Sequence, residues 1–301
     1  MTNVHALVSR PGPIEAALLA ELAAGAPAFT TRRRPALEVT FRLLEGGDGP
    51  PLVLLHGRGQ SATSWFPLLP GLARRRRVVA LDLPGFGHAS STPFAARGTD
   101  FEAALRFFVD PVEELLDREG LGEAAIAGHS LGGLVAVELA LRRRVRPPKL
   151  VLLGAMGVGP AMSPLARAYF RAGPERLARG LGRALFNRLH PPLDGEPGRR
   201  LASLYHELCA IPGGRAAPAA AFNALFPAAG PASHRLARLG EIDAEALVLW
   251  GERDEVFPSP TAIAAAAALR RAELRILPLG HSPHLEDPAG VLAEMLAFLE
   301  R

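Results

Sequence analysis

The stretch that decides the fold is Ala124-Ala125-Ile126-Ala127-Gly128-His129-Ser130-Leu131-Gly132-Gly133. Its first four residues are apolar and suit a short strand buried on both faces. Leu131–Arg144 then reads as a helix. Between the two lies G-x-S-x-G, Gly128 to Gly132. Five such residues say little alone. Set between a buried strand and a helix, they describe a sharp strand-to-helix turn. Small residues flank Ser130 because the turn has no room for side chains. The hydroxyl is then expected at the end of the strand, beside the helix N-terminus.

The same alternation extends in both directions. Glu38–Leu44, Leu52–Leu55, Val78–Leu81, Leu150–Leu153, Leu247–Trp250 and Leu274–Leu277 read as strands. Ser64–Ala73, Phe101–Glu119, Thr261–Leu269 and Val291–Leu299 read as helices. Strands alternating with helices predict a mostly parallel, doubly wound α/β sheet, with ligands beyond the carboxyl ends of its strands. Residues 157–240 interrupt the pattern. They hold short helical stretches divided by Pro174, Pro191-Pro192, Gly213-Gly214 and Pro227, with bulky residues Tyr169, Phe170, Phe186, Phe222 and Phe226. The expected organisation is an N-terminal extension over 1–30, a core over 31–156 and 241–301, and an inserted helical cap over 157–240. A short helix is expected from Pro13, with Ile14, Leu18 and Leu22 on one face.

A serine hydroxyl is a weak nucleophile at neutral pH. It needs a base, and the base needs an orienting acid. On such a sheet the chain order should be Ser, then Asp or Glu, then His. Trp250-Gly251-Glu252-Arg253-Asp254 follows one late strand and Gly280-His281 follows another. Asp254 is assigned as the orienting acid and His281 as the base. Glu252 and Glu255 are the rivals of Asp254, and His284 is the rival of His281. His284 is expected to be a loop or helix-start residue. The side chain of His129 should point away from the serine hydroxyl. His5, His190, His206 and His234 read as ordinary polar residues. His56-Gly57-Arg58-Gly59 follows the first buried strand. The backbone N–H groups of Arg58 and Leu131 are candidate oxyanion donors. His56 reads as a structural tie, and the Arg58 side chain is free to face pocket or solvent.

These landmarks together resemble the α/β-hydrolase superfamily, in its capped, esterase-like serine-hydrolase branch. The matching segments are HGRG at 56–59, DLPGFG at 82–87, GHSLGG at 128–133, WGERD at 250–254 and GHSPHLEDP at 280–288. They run in the family's order and span about residues 38–300. The resemblance implies a carboxylic-ester or thioester hydrolase that works through an acyl-enzyme and needs no metal or organic cofactor. It also implies that Asp82 is a structural aspartate. Two alternatives share the same landmarks: carbon–carbon bond hydrolysis of the meta-cleavage type, and a slow-turnover ligand sensor. A serine nucleophile disfavours the aspartate-dependent dehalogenases and epoxide hydrolases of the superfamily.

Composition excludes other classes. Of 301 residues, 49% are hydrophobic and 21% charged, too apolar for a disordered chain. A single cysteine, Cys209, excludes an internal disulfide and a cysteine-based zinc site. Basic residues exceed acidic ones by only 34 to 30, and Lys149 is the only lysine. Arginine abundance beside abundant Ala, Gly and Pro is a coding bias rather than a nucleic-acid footprint. The runs Arg32–Arg34, Arg74–Arg77 and Arg142–Arg144 are expected to end elements in solvent. The longest uncharged stretch, Ala216–His234, is interrupted by Pro218, Pro227 and Pro231, so no membrane span is expected. A soluble, cytoplasmic protein with a small, apolar ester-like substrate follows as the expectation. The 157–240 segment carries 11 arginines against 4 acidic residues. Arg176 and Arg179 are therefore candidate contacts for an acyl carrier.

Overall fold

The strands in chain order are β1 (Phe29–Ala36), β2 (Val39–Gly46), β3 (Pro51–Leu55), β4 (Arg77–Leu81), β5 (Ala125–His129), β6 (Lys149–Leu153), β7 (Glu245–Gly251) and β8 (Ala272–Leu277). They form one sheet in the order β1-β2-β4-β3-β5-β6-β7-β8. β1 pairs antiparallel with β2, and β2 with β4; the other pairings are parallel. The computed structural model describes residues 10–94, 100–180, 195–211, 216–226 and 233–301. His5, Phe186 and His190 lie outside the described residues.

The continuous apolar runs are explained by two-sided burial. Val53, Leu55, Val79, Leu81, Leu150 and Leu152 join the core on one face. Leu52, Leu54, Val78, Ala80, Val151 and Leu153 join the core on the other. Each such side chain contributes about 1.5–3 kcal/mol by leaving water. The first face is covered by α3 (Phe101–Arg118), α4 (Leu131–Arg142) and α8 (Pro260–Ala268). The second is covered by α2 (Leu69–Ala73) and α9 (Pro288–Leu299), with Leu22 of α1 (Pro13–Ala24) beside them. Between β6 and β7 the chain forms α5 (Pro164–Ala172), a helical stretch at 174–180, α6 (Gly195–Ala210) and α7 (Ala216–Ala224). This excursion contains no strand among its described residues.

Two expectations are corrected. Ser64–Ala73 is not one helix. A 3₁₀ turn at Ala62–Trp65 is capped reciprocally by Ser61 and Ser64, and α2 begins only at Leu69. Pro67 supplies no N–H and interrupts the ladder, while Pro70 sits in the first turn of α2. The Arg32–Arg34 run does not end an element. It lies inside β1, in register with Leu43, Arg42 and Phe41 of β2. β1 is the sheet edge, where charge protects against pairing with other chains. Arg32 pairs with Glu45, and Arg34 with Glu119 at 2.9 Å. By contrast, Arg74–Arg76 lie between α2 and β4, and Arg143 closes α4 in a left-handed conformation.

Helix α1 does more than dock. Glu15 is almost fully buried and accepts hydrogen bonds from Arg42 Nη2 at 2.8 Å, Thr63 Oγ1 at 2.8 Å and Ser61 Oγ at 3.1 Å, beside His88. Burial pushes the Glu15 carboxyl up, but His88, Arg42 and Thr63 outweigh it and hold it down at about 2. Arg42 also grips Asp82 through Nε at 2.7 Å and Nη2 at 3.0 Å, and Asp82 accepts from the Ala62 and His88 amides at 2.7 Å each. On its other side α1 meets α6. Glu207 accepts from the Ile14 and Glu15 amides at 3.0 and 3.1 Å, and Leu18 packs with Leu201, Leu204 and Leu208. No helix among the described residues is long and apolar enough to cross a membrane.

Candidate active site

From β3 the chain crosses to β4 on one side, and β5 lies on the other. The carboxyl ends of β3 and β5 therefore lie side by side where the winding reverses, the usual ligand position on such sheets. The loop after β3 carries His56–Gly59, and β5 ends at His129.

Ser130 follows at φ 51° and ψ −114°, a conformation that costs a non-glycine residue about 1–3 kcal/mol. Its surroundings impose it. The Ser130 amide donates to Leu153 O at 3.0 Å, and its carbonyl accepts from the Gly133 and Met156 amides at 3.0 and 2.9 Å. A Cβ on Gly128 would lie 2.3 Å from Gly132 O, and one on Gly132 would lie 2.1 Å from Leu55 O. Both glycines are thus required by contact, and the second presses α4 against the end of β3.

Asp254 follows β7 and His281 follows β8. His281 Nδ1 lies 2.9 Å from Asp254 Oδ2. Asp254 Oδ1 accepts from the Val256 and Phe257 amides at 2.8 and 2.9 Å. Trp250 Nε1 closes the same loop on Phe257 O at 2.9 Å. The carboxylate is buried and fixed, so His281 donates to it from Nδ1–H and turns Nε2 away from the pair. Gly154, at φ 49°, makes room for the pair: a Cβ there would fall 2.9 Å from His281 O. Glu252 and Glu255 are exposed, and the carboxylate that pairs with His281 is that of Asp254.

The Arg58 amide lies in the loop after β3 and the Leu131 amide opens α4, and neither donates a hydrogen bond among the described residues. His56 is a tie, as its position suggests. It accepts from the Leu83 amide at Nε2, 2.9 Å, which leaves Nδ1 to donate to Gly57 O at 2.7 Å.

Two further imidazoles, His129 and His284, lie in a tilted row from His281. His129 Nε2 lies 3.1 Å from His281 O, and its ring centre is 5.0 Å from that of His281. His129 therefore helps hold the loop of the base, a role its position next to Ser130 does not reveal. Burial, then the neighbouring His284 and His281, keep it well below the usual histidine range. His284 opens a single helical turn at Pro283–Glu286 and is wholly buried between Trp65 and His129. Burial, with His281 adding to it, lowers it to about 3. His206 meets Ala178 O at 3.1 Å, and His234 accepts from the Leu236 amide at 3.2 Å.

The Arg58 side chain does not face solvent. It is 5% exposed, paired with Glu175 and packed against Phe170 and Phe222 of the 157–240 segment. Tyr205 of α6 covers Gly59; a Cβ there would fall 2.8 Å from its ring. Glu175 and Tyr205 are distant in sequence from Arg58, and no motif marks them. No group of three or more residues suited to a metal occurs among the described residues.

The sequence matches the model of the alpha/beta hydrolase family over residues 52–294. It is 30% identical over 263 residues to the 2-hydroxymuconate semialdehyde hydrolase of Pseudomonas sp. strain CF600, covering 83% of this chain and 87% of that protein. The 2-hydroxy-6-oxo-6-phenylhexa-2,4-dienoate hydrolase of Rhodococcus sp. strain RHA1 superposes with a TM-score of 0.76 at 26% identity, over 91% of this chain and 100% of that one. A bacterial membrane phospholipase A superposes with a TM-score of 0.72 at 27% identity, over 95% and 92%.

Proposed function

The chain belongs to the alpha/beta hydrolase family, and on that premise we propose that it hydrolyses carboxylic esters through an acyl-enzyme on Ser130. One observation carries the reading: His281 Nδ1 is 2.9 Å from an Asp254 whose other oxygen is pinned by two amides. A pair of this kind serves a nucleophile, and Ser130 is the hydroxyl held at positive φ at the carboxyl end of β5 in the same sheet.

In this mechanism Ser130 Oγ attacks the ester carbonyl while His281 Nε2 takes its proton. Asp254 holds the tautomer and stabilises the imidazolium. The Arg58 and Leu131 amides receive the developing oxyanion; donors of this kind are worth about 3–4 kcal/mol each. His281 then protonates the leaving alcohol and later activates water to release the acid. The 157–240 segment acts as the cap, with Phe170 and Phe222 favouring an apolar acyl group.

A second reading is carbon–carbon bond hydrolysis of the meta-cleavage type. Similarity to the Pseudomonas and Rhodococcus hydrolases along most of the chain favours it. The two readings separate in one experiment. p-Nitrophenyl esters of two to twelve acyl carbons and an unsaturated 2-hydroxy-6-oxo acid are assayed side by side. Ester turnover that exceeds turnover of the oxo acid, and falls about 10⁴- to 10⁶-fold in Ser130→Ala, is expected. Turnover of the oxo acid alone would replace the ester reading with the second.

A further inference from the structure

Arginine and a buried carboxylate commonly close their pair through two parallel hydrogen bonds. Arg58 and Glu175 close theirs through one, from Nη2 to Oε2 at 2.9 Å. Arg58 Nε and Nη1 and Glu175 Oε1 are buried and have no hydrogen-bond partner. Both residues are 5% exposed. Three unpaired polar atoms of opposite polarity at one spot are an unusual burden for a folded chain. A guest that pairs them accepts from the guanidinium and donates to the carboxylate.

Charge decides which guest. The Arg58–Glu175 pair is already neutral, and its walls are the rings of Phe170 and Phe222, 5.3 and 5.1 Å from the guanidinium carbon. A carboxylate would bring a net negative charge into that box and set its oxygens against Oε1. An ammonium would set N–H against N–H. A hydroxyl accepts and donates without adding charge. Position decides where the hydroxyl sits. The backbone amide of Arg58 is assigned to the oxyanion, and Nε hangs from the same residue by a three-carbon stem. The guanidinium is thus tethered by a short stem to the amide assigned to the reacting carbonyl.

We infer that Arg58 and Glu175 form a subsite for a hydroxyl group on the acyl chain, which makes the enzyme selective for hydroxyacyl esters. The inference rests on the ester-hydrolase reading for its catalytic test but not for its binding test. Ethyl hexanoate, ethyl 3-hydroxyhexanoate, ethyl 5-hydroxyhexanoate and monoethyl adipate are compared by kcat/KM. Wild type should favour one of the hydroxy esters over hexanoate by about tenfold or more, as a hydrogen bond to a charged partner predicts. Glu175→Gln leaves Arg58 uncompensated. It should shrink that preference and raise turnover of monoethyl adipate relative to hexanoate by about tenfold. Equal kcat/KM for hexanoate and both hydroxy esters in wild type would overturn the subsite and assign the unpaired atoms to trapped water. If no ester is turned over, the ester reading fails by itself. The subsite is then decided by calorimetry on Ser130→Ala with hexanamide and the two hydroxyhexanamides: about tenfold tighter binding of one hydroxy amide upholds it, and equal binding sinks it.

Discussion

Ser130 carries strain for its position. At φ 51° it occupies backbone space that glycine enters freely, and backbone hydrogen bonds at both its amide and its carbonyl keep it there. Ser130→Gly should therefore raise the thermal midpoint, by about 1–3 kcal/mol of stability, while abolishing ester turnover. Thermal melts of the two proteins check this; a less stable variant would show that the turn is not strained. The positions of Ser130, Asp254 and His281 at strand ends are readable from sequence, because each belongs to a local strand-to-loop pattern. The fate of the Arg58 side chain is not. Its partner Glu175 lies 117 residues away, and both solvent and cap are open to an arginine on a loop.

The same division by distance holds for the elements. Buried strands and amphipathic helices are written in adjacent residues and are legible. β1 is hidden, because Arg32–Arg34 and Pro35 mask a strand that its pairing with β2 makes stable. The work of α1 is hidden as well. Its N-terminal amides are satisfied by Glu207, 193 and 192 residues away, and its Glu15 by Arg42, Thr63 and Ser61. Glu207→Ala removes the acceptor from those amides and should cost about 0.5–2 kcal/mol, as loss of a helix N-cap does. Hydrogen exchange should then speed up in Pro13–Ala24 and in Gly195–Ala210 together. Faster exchange in only one of them would show that the two helices are not mechanically joined.

For the molecule as a whole, buried groups whose charged or neutral form the fold favours, Glu15, His129 and His284 among them, shape the response to acid. Glu15 has a folded pKa of about 2 against 4.5 for the free side chain. A depressed carboxylate stabilises the fold above about pH 4.5 and loses that contribution as pH falls toward 2, about 3 kcal/mol in total. His284, lowered from 6.5 to about 3, acts with the same sign and earlier: the unfolded chain takes up a proton below about pH 6.5 that the folded one refuses. Unfolding free energy should be flat between pH 7 and 8, decline below about 6.5, and decline more steeply below about 4.5. In His284→Phe, which keeps the ring between Trp65 and His129, the first decline should shrink. Urea titrations across that pH range measure it; an unchanged upper slope in the variant would remove His284 from the account.

The bridge from α1 to α6 has a practical consequence. Chimeras that alter substrate range would ordinarily exchange residues 157–240 as one cassette between relatives. Here that cassette is clamped by a helix more than a hundred residues upstream, through Glu207 and through Leu18 among Leu201, Leu204 and Leu208. A donor cassette without its own matching residues 10–25 would arrive with the wrong half of a lock. The unit of exchange, and the unit that selection can vary freely, is therefore two separated pieces of chain that have to be inherited together.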